Sequence, residues 1–562
     1  MILFFILASS FLLLYTYLMT PVILIVLDGY GIAPPGPGNA IHLANPTNIS
    51  TYTFSYPNTI LKASGQAVGL PAQEVGNTEV GHLNLGAGKI VYQDLPRINM
   101  AIADGTFYKD SIFLEAINHV KKNDSNLHLI GLIGEGMVHS SAEHLFSLIF
   151  LAKEQGVQNL FIHVITDGRD SPPKSGINSI KLLQDKLDTL KVGRIATVIG
   201  RYYALDRDRR WERTEKAYKC MTQGIGNPAN SALDAIQFSY SQQKTDEFIE
   251  PTVIVDSQKK PLANVKENDA VIFFNYRIDR PRQLTKAFVL DNFEQDANKI
   301  TSFDPYAVKY FKTHLPQEQI INPPFARGPK LKNLYFVTMT EYEKNLPVKV
   351  AFPPVTVKMP LGRVVSEAGL LQLRMSESEK ERFVTFYFNG QTEVAFTGED
   401  RLIIPSPKVS TYDLKPEMSA VELTNDLLQK MREKKYHFIL VNYANADMVG
   451  HTGNIQATIQ SVKTIDECLQ KVVAGALSLD YSVLITADHG NAEQKINART
   501  GEISTEHTNN PVPFIAVSNL YQGRFVKLQM GILADVAPTV LYLLDLPKPT
   551  DMTGRNLLEE IR

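Results

Sequence analysis

The chain has 562 residues, of which 44% are hydrophobic and 21% charged, the composition of a folded protein long enough for two or more domains. Its formal net charge of −2 excludes the broad basic field that draws in nucleic acid or an anionic membrane, so any anionic ligand must be held by local arginines. Two cysteines, Cys220 and Cys468, are too few and too far apart for a disulfide framework or a zinc ribbon, and they suit a reducing compartment.

The first 18 residues, MILFFILASSFLLLYTYL, are almost wholly apolar. No Lys or Arg precedes the run, as a secretory leader would require, and Met19-Thr20-Pro21 leads directly into the first core strand. The preferred reading is a chain that starts at Met19. The alternative is a signal anchor, for which the run is barely long enough.

That first strand, Val22–Leu27 (VILIVL), ends in Asp28, within LDGYG. Next comes GNTEVGH, Gly76 to His82, which sets the hydroxyl of Thr78 between two glycines that would let the backbone turn tightly around a bulky anion. It is not a Walker loop, since Lys89 is followed by Ile90 rather than Ser or Thr. Further apolar runs end abruptly in polar clusters: Leu127–Ile133 into Gly134-Glu135, Leu160–Thr166 into Asp167, and Arg194–Ile199 into Gly200-Arg201. Ala270–Asn275 runs into Arg277, Phe438–Tyr443 into Asp447, and Tyr481–Thr486 into Asp488. Helical patterns separate them at Ser140–Gln155, Asn178–Leu190, Trp211–Thr222, Ala420–Lys434 and Asn454–Leu477. Continuous apolar strands alternating with helices predict an α/β fold with parallel strands buried on both faces. Ligands in such sheets bind beyond the carboxyl ends of the strands, where the polar clusters lie. Asp291–Lys332, rich in Pro, Asn, Gln and Lys, reads as a loop-rich connection between domains.

Asp28, Asp447, Asp488, His451, His489 and His507 form a carboxylate–imidazole set. Asp447 and His451 are four apart, so a helical turn puts both on one face. The set suits Mn, Zn or Fe better than Ca or Mg, and it is large enough for two ions. Two ions could clamp the attacking and leaving oxygens of a phosphoryl transfer, and one near Thr78 would make its hydroxyl a usable nucleophile. Between these regions Arg169, Arg201, Arg207, Arg277 and Arg280 lie near strand ends, suited to bidentate contacts with carboxylate and phosphate. His139, after another strand, could move a proton or bind phosphate.

Taken together, LDGYG, GNTEVGHLNLGAG, DGRDSPP, GRYYALDRDRRW, FNYRIDR, LIIPSPKVSTYDLKPEMSA, NYANADMVGHTGN, TADHGNAE and HTNNPVP resemble the cofactor-independent phosphoglycerate mutases of the alkaline phosphatase superfamily. The resemblance runs from about Pro21 to near the C-terminus. It implies an alkaline-phosphatase-like metal-binding domain, residues 19–92 and 333–562, with an inserted α/β transferase domain, residues 93–332; the region around Tyr92 and the Asp291–Lys332 segment are the natural hinges. It implies interconversion of 3-phosphoglycerate and 2-phosphoglycerate without 2,3-bisphosphoglycerate, using two Mn2+, with other divalent metals left open. By the same resemblance Asp447, His451 and His507 would hold one metal, and Asp28, Asp488, His489 and the Thr78 hydroxyl the other. His139, Arg169, Asp170, Arg201, Arg207, Arg277, Arg280 and Lys380 match substrate-binding positions.

The chain departs from the family at informative places. The family nucleophile is a Ser; here it is Thr78, so a phosphothreonine intermediate is expected, with an extra methyl group that is stiff at χ1. GEGMVHSS replaces SDGGVHSH around His139, and Lys380 stands in SESEK rather than an ETEK-like motif. The expected partner is a small-molecule phosphoglycerate, with no nucleic acid, no stable membrane contact, a monomeric state and a cytoplasmic location. The alternatives are a metal-dependent phosphohydrolase or an envelope-anchored phosphotransferase of the same superfamily.

Overall fold

The computed structural model describes residues 20–299, 322–497, 500–559 and 561. The apolar N-terminal run, Met19 and much of Asp291–Lys332 lie outside the described residues. The chain divides into two compact units, one of residues up to Gln93 and from Val355 onward, the other Asp94–Pro354.

The first unit opens with strands β1 (Val22–Leu27) and β2 (Asn58–Lys62). The second unit then supplies β3 (Leu127–Ile133), β4 (Leu160–Thr166), β5 (Arg194–Gly200), β6 (Asn227–Ala229), β7 (Thr252–Ile254), β8 (Ala270–Phe273), β9 (Tyr335–Thr340) and β10 (Lys349–Phe352). The chain returns to the first unit with β11 (Gln372–Glu377), β12 (Glu399–Ile404), β13 (Phe438–Tyr443), β14 (Ser482–Thr486), β15 (Val512–Val517) and β16 (Gly531–Ile532). Each unit is thus built on one eight-stranded sheet, in the order β12-β11-β13-β1-β14-β15-β2-β16 for the first and β10-β9-β8-β3-β4-β5-β7-β6 for the second.

The fold is α/β, and its strands are mainly parallel. Two departures occur near the sheet edges, where β15 runs antiparallel to β14 and β2, and β7 antiparallel to β5. All six residues of β1 are fully buried, as expected for a central strand flanked on both sides by parallel neighbours, β13 and β14. Burial of each such aliphatic side chain contributes about 1.5–3 kcal/mol. The predicted helices are present as Ala142–Glu154, Gly176–Leu190, Trp211–Gln223, Ala420–Arg432 and Ile455–Ser478, the last capped by the side chain of Asn454. Among the described residues no helix is long and apolar enough to cross a membrane.

One boundary needs correction. Residues 333–352, expected in the phosphatase-like domain, form β9 and β10 and extend the second sheet from β8. The described part of Asp291–Lys332 therefore lies within the second unit rather than between the two. There Arg327, nearly buried, donates to the carbonyls of Ala287 and Leu290 at 3.1 and 2.6 Å. A cation at those last carbonyls suits the end of the helix Arg282–Val289.

Candidate active site

In the first unit, three neighbouring strands deliver the acidic groups. Asp28 follows β1, Asp488 follows β14, and Asp447 sits in the helix Asn445–Gly450 just after β13. All three are buried. Thr78 is the first residue of the helix Thr78–Ala87, whose N-cap Asn77 accepts a hydrogen bond from the Val80 N–H. The Thr78 hydroxyl lies 2.9 Å from His489 Nε2 and 3.4 Å from Asp28 Oδ1. Lys380, in the turn after β11, donates from Nζ to Thr78 Oγ1 at 3.1 Å and to Asp28 Oδ1 and Asp447 Oδ2, each at 2.7 Å.

The two glycines of GNTEVGH act differently from the expectation. Neither adopts a left-handed φ. A side chain at Gly81 would come within 2.6 Å of the Asp488 carbonyl, and one at Gly76 would collide with the carbonyl of Ala63. The bare Cα of Gly81 lets the Thr78 helix press against the strand end that carries Asp488, and that of Gly76 lets the chain before the helix pass the Ala63 carbonyl.

His451 and His507 complete the cluster. His451 Nδ1 meets the Thr505 carbonyl at 2.7 Å, and His507 Nδ1 meets the Gly76 carbonyl at 2.9 Å. A carbonyl only accepts, so both rings carry their proton on Nδ1. Their Nε2 lone pairs then converge on each other, 3.0 Å apart, and on Asp447 Oδ1 at 3.1 and 3.2 Å. Three acceptors facing one another suit a shared cation, and backbone orientation of the distal ring nitrogen is usual for metal-ligating histidines. Ligand atoms of Asp447, His451 and His507 lie within 4.8 Å of one another, as do those of Asp28, Asp447 and His489. The residues present therefore fit divalent metal.

The electrostatics agree. Burial alone would make the His489 imidazolium more acidic, but Asp488, Asp28 and Asp447 outweigh it and push its pKa up to about 10. Burial also opposes the Lys380 ammonium, and Asp28, Asp447 and Asp488 again outweigh it and raise its pKa. His507 moves the other way, lowered by burial and by His489.

His82, not assigned from the sequence, belongs here. Asn442 meets its Nε2 at 3.1 Å and donates to Asp28 Oδ2 at 2.8 Å, while His82 Nδ1 lies 3.0 Å from the Thr78 carbonyl and 3.2 Å from Asp488 Oδ2. Its position one helical turn after Thr78 was the available signal. Asn491 similarly donates to Asp447 Oδ1 at 2.9 Å.

In the second unit the arginines gather after β4, β5 and β8, and His139 follows β3. Arg201 is 2% exposed and donates from NH1 to Asp167 Oδ1 and Asp170 Oδ2, both at 2.5 Å, and its NH2 meets His139 Nε2 at 2.9 Å. Burial, then the Arg201 charge, lowers the His139 pKa to about 3, so its imidazole is neutral at physiological pH. Its Nε2 faces the Arg201 guanidinium and can accept a hydrogen bond from it. Arg169 pairs with Glu247 at 2.5 Å. Asp279 bridges Arg207 NH1 and Arg277 Nε at 2.9 and 3.0 Å. Arg280 donates to the Leu205 carbonyl at 3.1 Å, and burial, then Arg201 and Arg207, lowers its pKa to about 10. Five guanidiniums gathered this closely favour a small polyanion. The sequence reading did not assign Asp167, Glu247 or Asp279, the carboxylates that hold these arginines.

Comparison with known proteins follows the same lines. The family model described as BPG-independent PGAM N-terminus matches residues 98–344. The 2,3-bisphosphoglycerate-independent phosphoglycerate mutase of Chloroflexus aggregans is 49% identical over 96% of this chain and 98% of its own length. That of Clostridium acetobutylicum is 48% identical over 96% and 99%. Among solved structures, the Leishmania mexicana phosphoglycerate mutase at low cobalt concentration aligns over 96% of this chain and 97% of its own, with a TM-score of 0.57 and 28% identity.

Proposed function

This chain belongs to the 2,3-bisphosphoglycerate-independent phosphoglycerate mutases, metal-dependent enzymes that interconvert 3-phosphoglycerate and 2-phosphoglycerate, and we propose that it works through a phosphothreonine at Thr78. The observation that carries this reading is the surroundings of the Thr78 oxygen, within 3.1 Å of Lys380 Nζ and 2.9 Å of His489 Nε2. A hydroxyl at the start of a helix, beside a buried ammonium, is well placed to receive a phosphoryl group.

In the first half-reaction Thr78 Oγ1 bonds to phosphorus as the ester O–P bond breaks. The glycerate oxygen leaves with the bonding pair, and the Thr78 proton passes to it. In the second half the other glycerate hydroxyl attacks phosphorus, the bond from phosphorus to Thr78 Oγ1 breaks, and the proton of that hydroxyl passes to Thr78 Oγ1 as it leaves. Lys380 holds the charge that builds on the transferring oxygens. Arg169, Arg201, Arg207, Arg277 and Arg280, with His139 and Asp170, recognise the carboxylate, phosphate and hydroxyls of the phosphoglycerate. Two Mn2+ ions, one held by Asp447, His451 and His507 and the other by Asp28, Asp488, His489 and Thr78, would polarise the phosphoryl group and acidify the attacking hydroxyl. We take the enzyme to act as a cytoplasmic monomer; its two free, buried thiols support a reducing compartment.

Acid quenching during turnover of 3-phosphoglycerate, followed by peptide mass spectrometry, tests the proposal. A phosphate on the peptide carrying Thr78 is expected. Phosphate on another residue, or on none in an active enzyme, overturns it.

A further inference from the structure

The motif LIIPSPKVSTYDLKPEMSA contributes no group to the reacting centre, yet residues 405–419 join two elements that do. At one end they fix the turn Ser378–Lys380. The Ser406 N–H donates to Ser378 Oγ at 3.0 Å, and the Glu379 N–H returns the bond to Ser406 Oγ at 3.4 Å. Tyr412 OH donates to Glu379 Oε1 at 3.0 Å, and the Ser419 N–H to Glu377 Oε1 at 2.9 Å. At the other end they fix the helix Asn445–Gly450. Asn445 Nδ2 donates to the carbonyls of Pro416 and Glu417 at 3.0 and 2.9 Å. Beneath, Tyr412 and Met448 pack on a small buried cluster of Met418, Ala444, Val449 and Ala457.

We infer that residues 405–419 form a strap that sets Lys380 against Asp447, with Ser406 and Tyr412 as positioning residues for phosphoryl transfer. Lys380 and Asp447 come from different elements, and their 2.7 Å contact depends on the separation of those elements. The strap grips both: the backbone and side chains flanking Lys380 on one side, the first turn of the Asp447 helix on the other. Neither Ser406 nor Tyr412 touches Thr78 or a proposed metal ligand, so each acts only through what it holds. A displacement of about 1 Å in such a group can cost two orders of magnitude in rate.

The inference rests on the proposed role of Lys380, and the test separates the two. Tyr412→Phe and Ser406→Ala remove single polar atoms, and Ser406→Thr keeps the hydroxyl. In an enolase-coupled assay with Mn2+, the double variant S406A/Y412F is expected to lose about tenfold or more in kcat, with KM for 3-phosphoglycerate within about twofold of the parent. Ser406→Thr in the Tyr412 parent should restore kcat. A merely structural role would lower the unfolding temperature and leave kcat per folded molecule unchanged, which would overturn the inference. Should the double variant not fold, Ser406→Ala alone is read by the same criteria. Lys380→Ala is the control. If it is inactive while the strap variants match the parent, the strap inference alone falls. If Lys380→Ala keeps the parental kcat, the Lys380 assignment falls, and the strap inference with it.

Discussion

The ring of His82 lies 3.2 Å from the carboxylate of Asp488, with both groups fully buried. Its other nitrogen meets Asn442, whose amide holds Asp28. One side chain, directly and through Asn442, thus supports two carboxylates proposed to share a metal. Loss of such an orienting partner typically weakens metal affinity by about 10- to 100-fold. His82→Ala should weaken Mn2+ binding to EDTA-treated enzyme by that factor in calorimetry and regain most of its kcat at saturating Mn2+. Parental Mn2+ affinity in a folded His82→Ala protein would refute this role.

Thr78→Ala should fold and bind 3-phosphoglycerate yet lose at least about a thousandfold in kcat, the scale expected on removing a nucleophile. Thr78→Ser keeps the oxygen and sheds the stiff methyl group. Its kcat should equal or exceed that of the parent. Full mutase activity in Thr78→Ala, from a preparation free of host mutase, excludes Thr78 as the phosphoryl acceptor.

His489 carries a proton in the metal-free protein because Asp488, Asp28 and Asp447 hold its pKa near about 10 against the effect of burial. A ligating imidazole must be neutral. Metal binding therefore displaces a proton at every pH below that value, and affinity rises with pH across the neutral range. Titration of Mn2+ at pH 7.5 in two buffers of different ionisation enthalpy should report at least about one proton released per molecule. Uptake of protons, or no exchange, contradicts His489 as a ligand.

Glu377, 1% exposed at the end of β11, supplies a different pH dependence. Burial raises its pKa from 4.5 to about 7. An acid whose pKa is raised on folding contributes stability that is complete below the unfolded value and is lost as pH rises through the folded one. That shift corresponds to about 3 kcal/mol as an upper figure. Glu377→Gln keeps an acceptor for the Ser419 N–H and removes the charge. It should be more stable than the parent by about 1–3 kcal/mol in urea at pH 8.5, and the gain should shrink toward pH 5. An equal gain at both values would show that ionisation of Glu377 is not its source.

The strand ends were the most legible part of the sequence. Runs such as VILIVL into Asp28 and YSVLIT into Asp488 show burial on both faces and then an abrupt polar break, so their residues disclose where the sheet stops. The strands β9 and β10 were missed because their residues mix Thr, Tyr and Lys with few consecutive aliphatics, and pairing with β8 decides their fate. Asp279 and Asn442 were missed for another reason. Each is an ordinary residue whose meaning comes from a partner brought near by the sheet, Arg207 across 72 positions and Asp28 across 414. The purpose of Gly81 was equally hidden, because what its missing side chain makes room for is the backbone of Asp488.

The strand order has a consequence for biosynthesis. Among the described residues, β1 pairs only with β13 and β14, and β2 only with β15 and β16, so no strand in the first 93 residues has a partner until Phe438 emerges from the ribosome. The second sheet, whose strands all lie between Leu127 and Phe352, is complete well before that. At a synthesis rate of about 5–20 residues per second, VILIVL waits roughly 20–80 s as an unpaired, wholly aliphatic strand. The nascent chain therefore holds every strand of the second sheet while this aliphatic segment still lacks its neighbours.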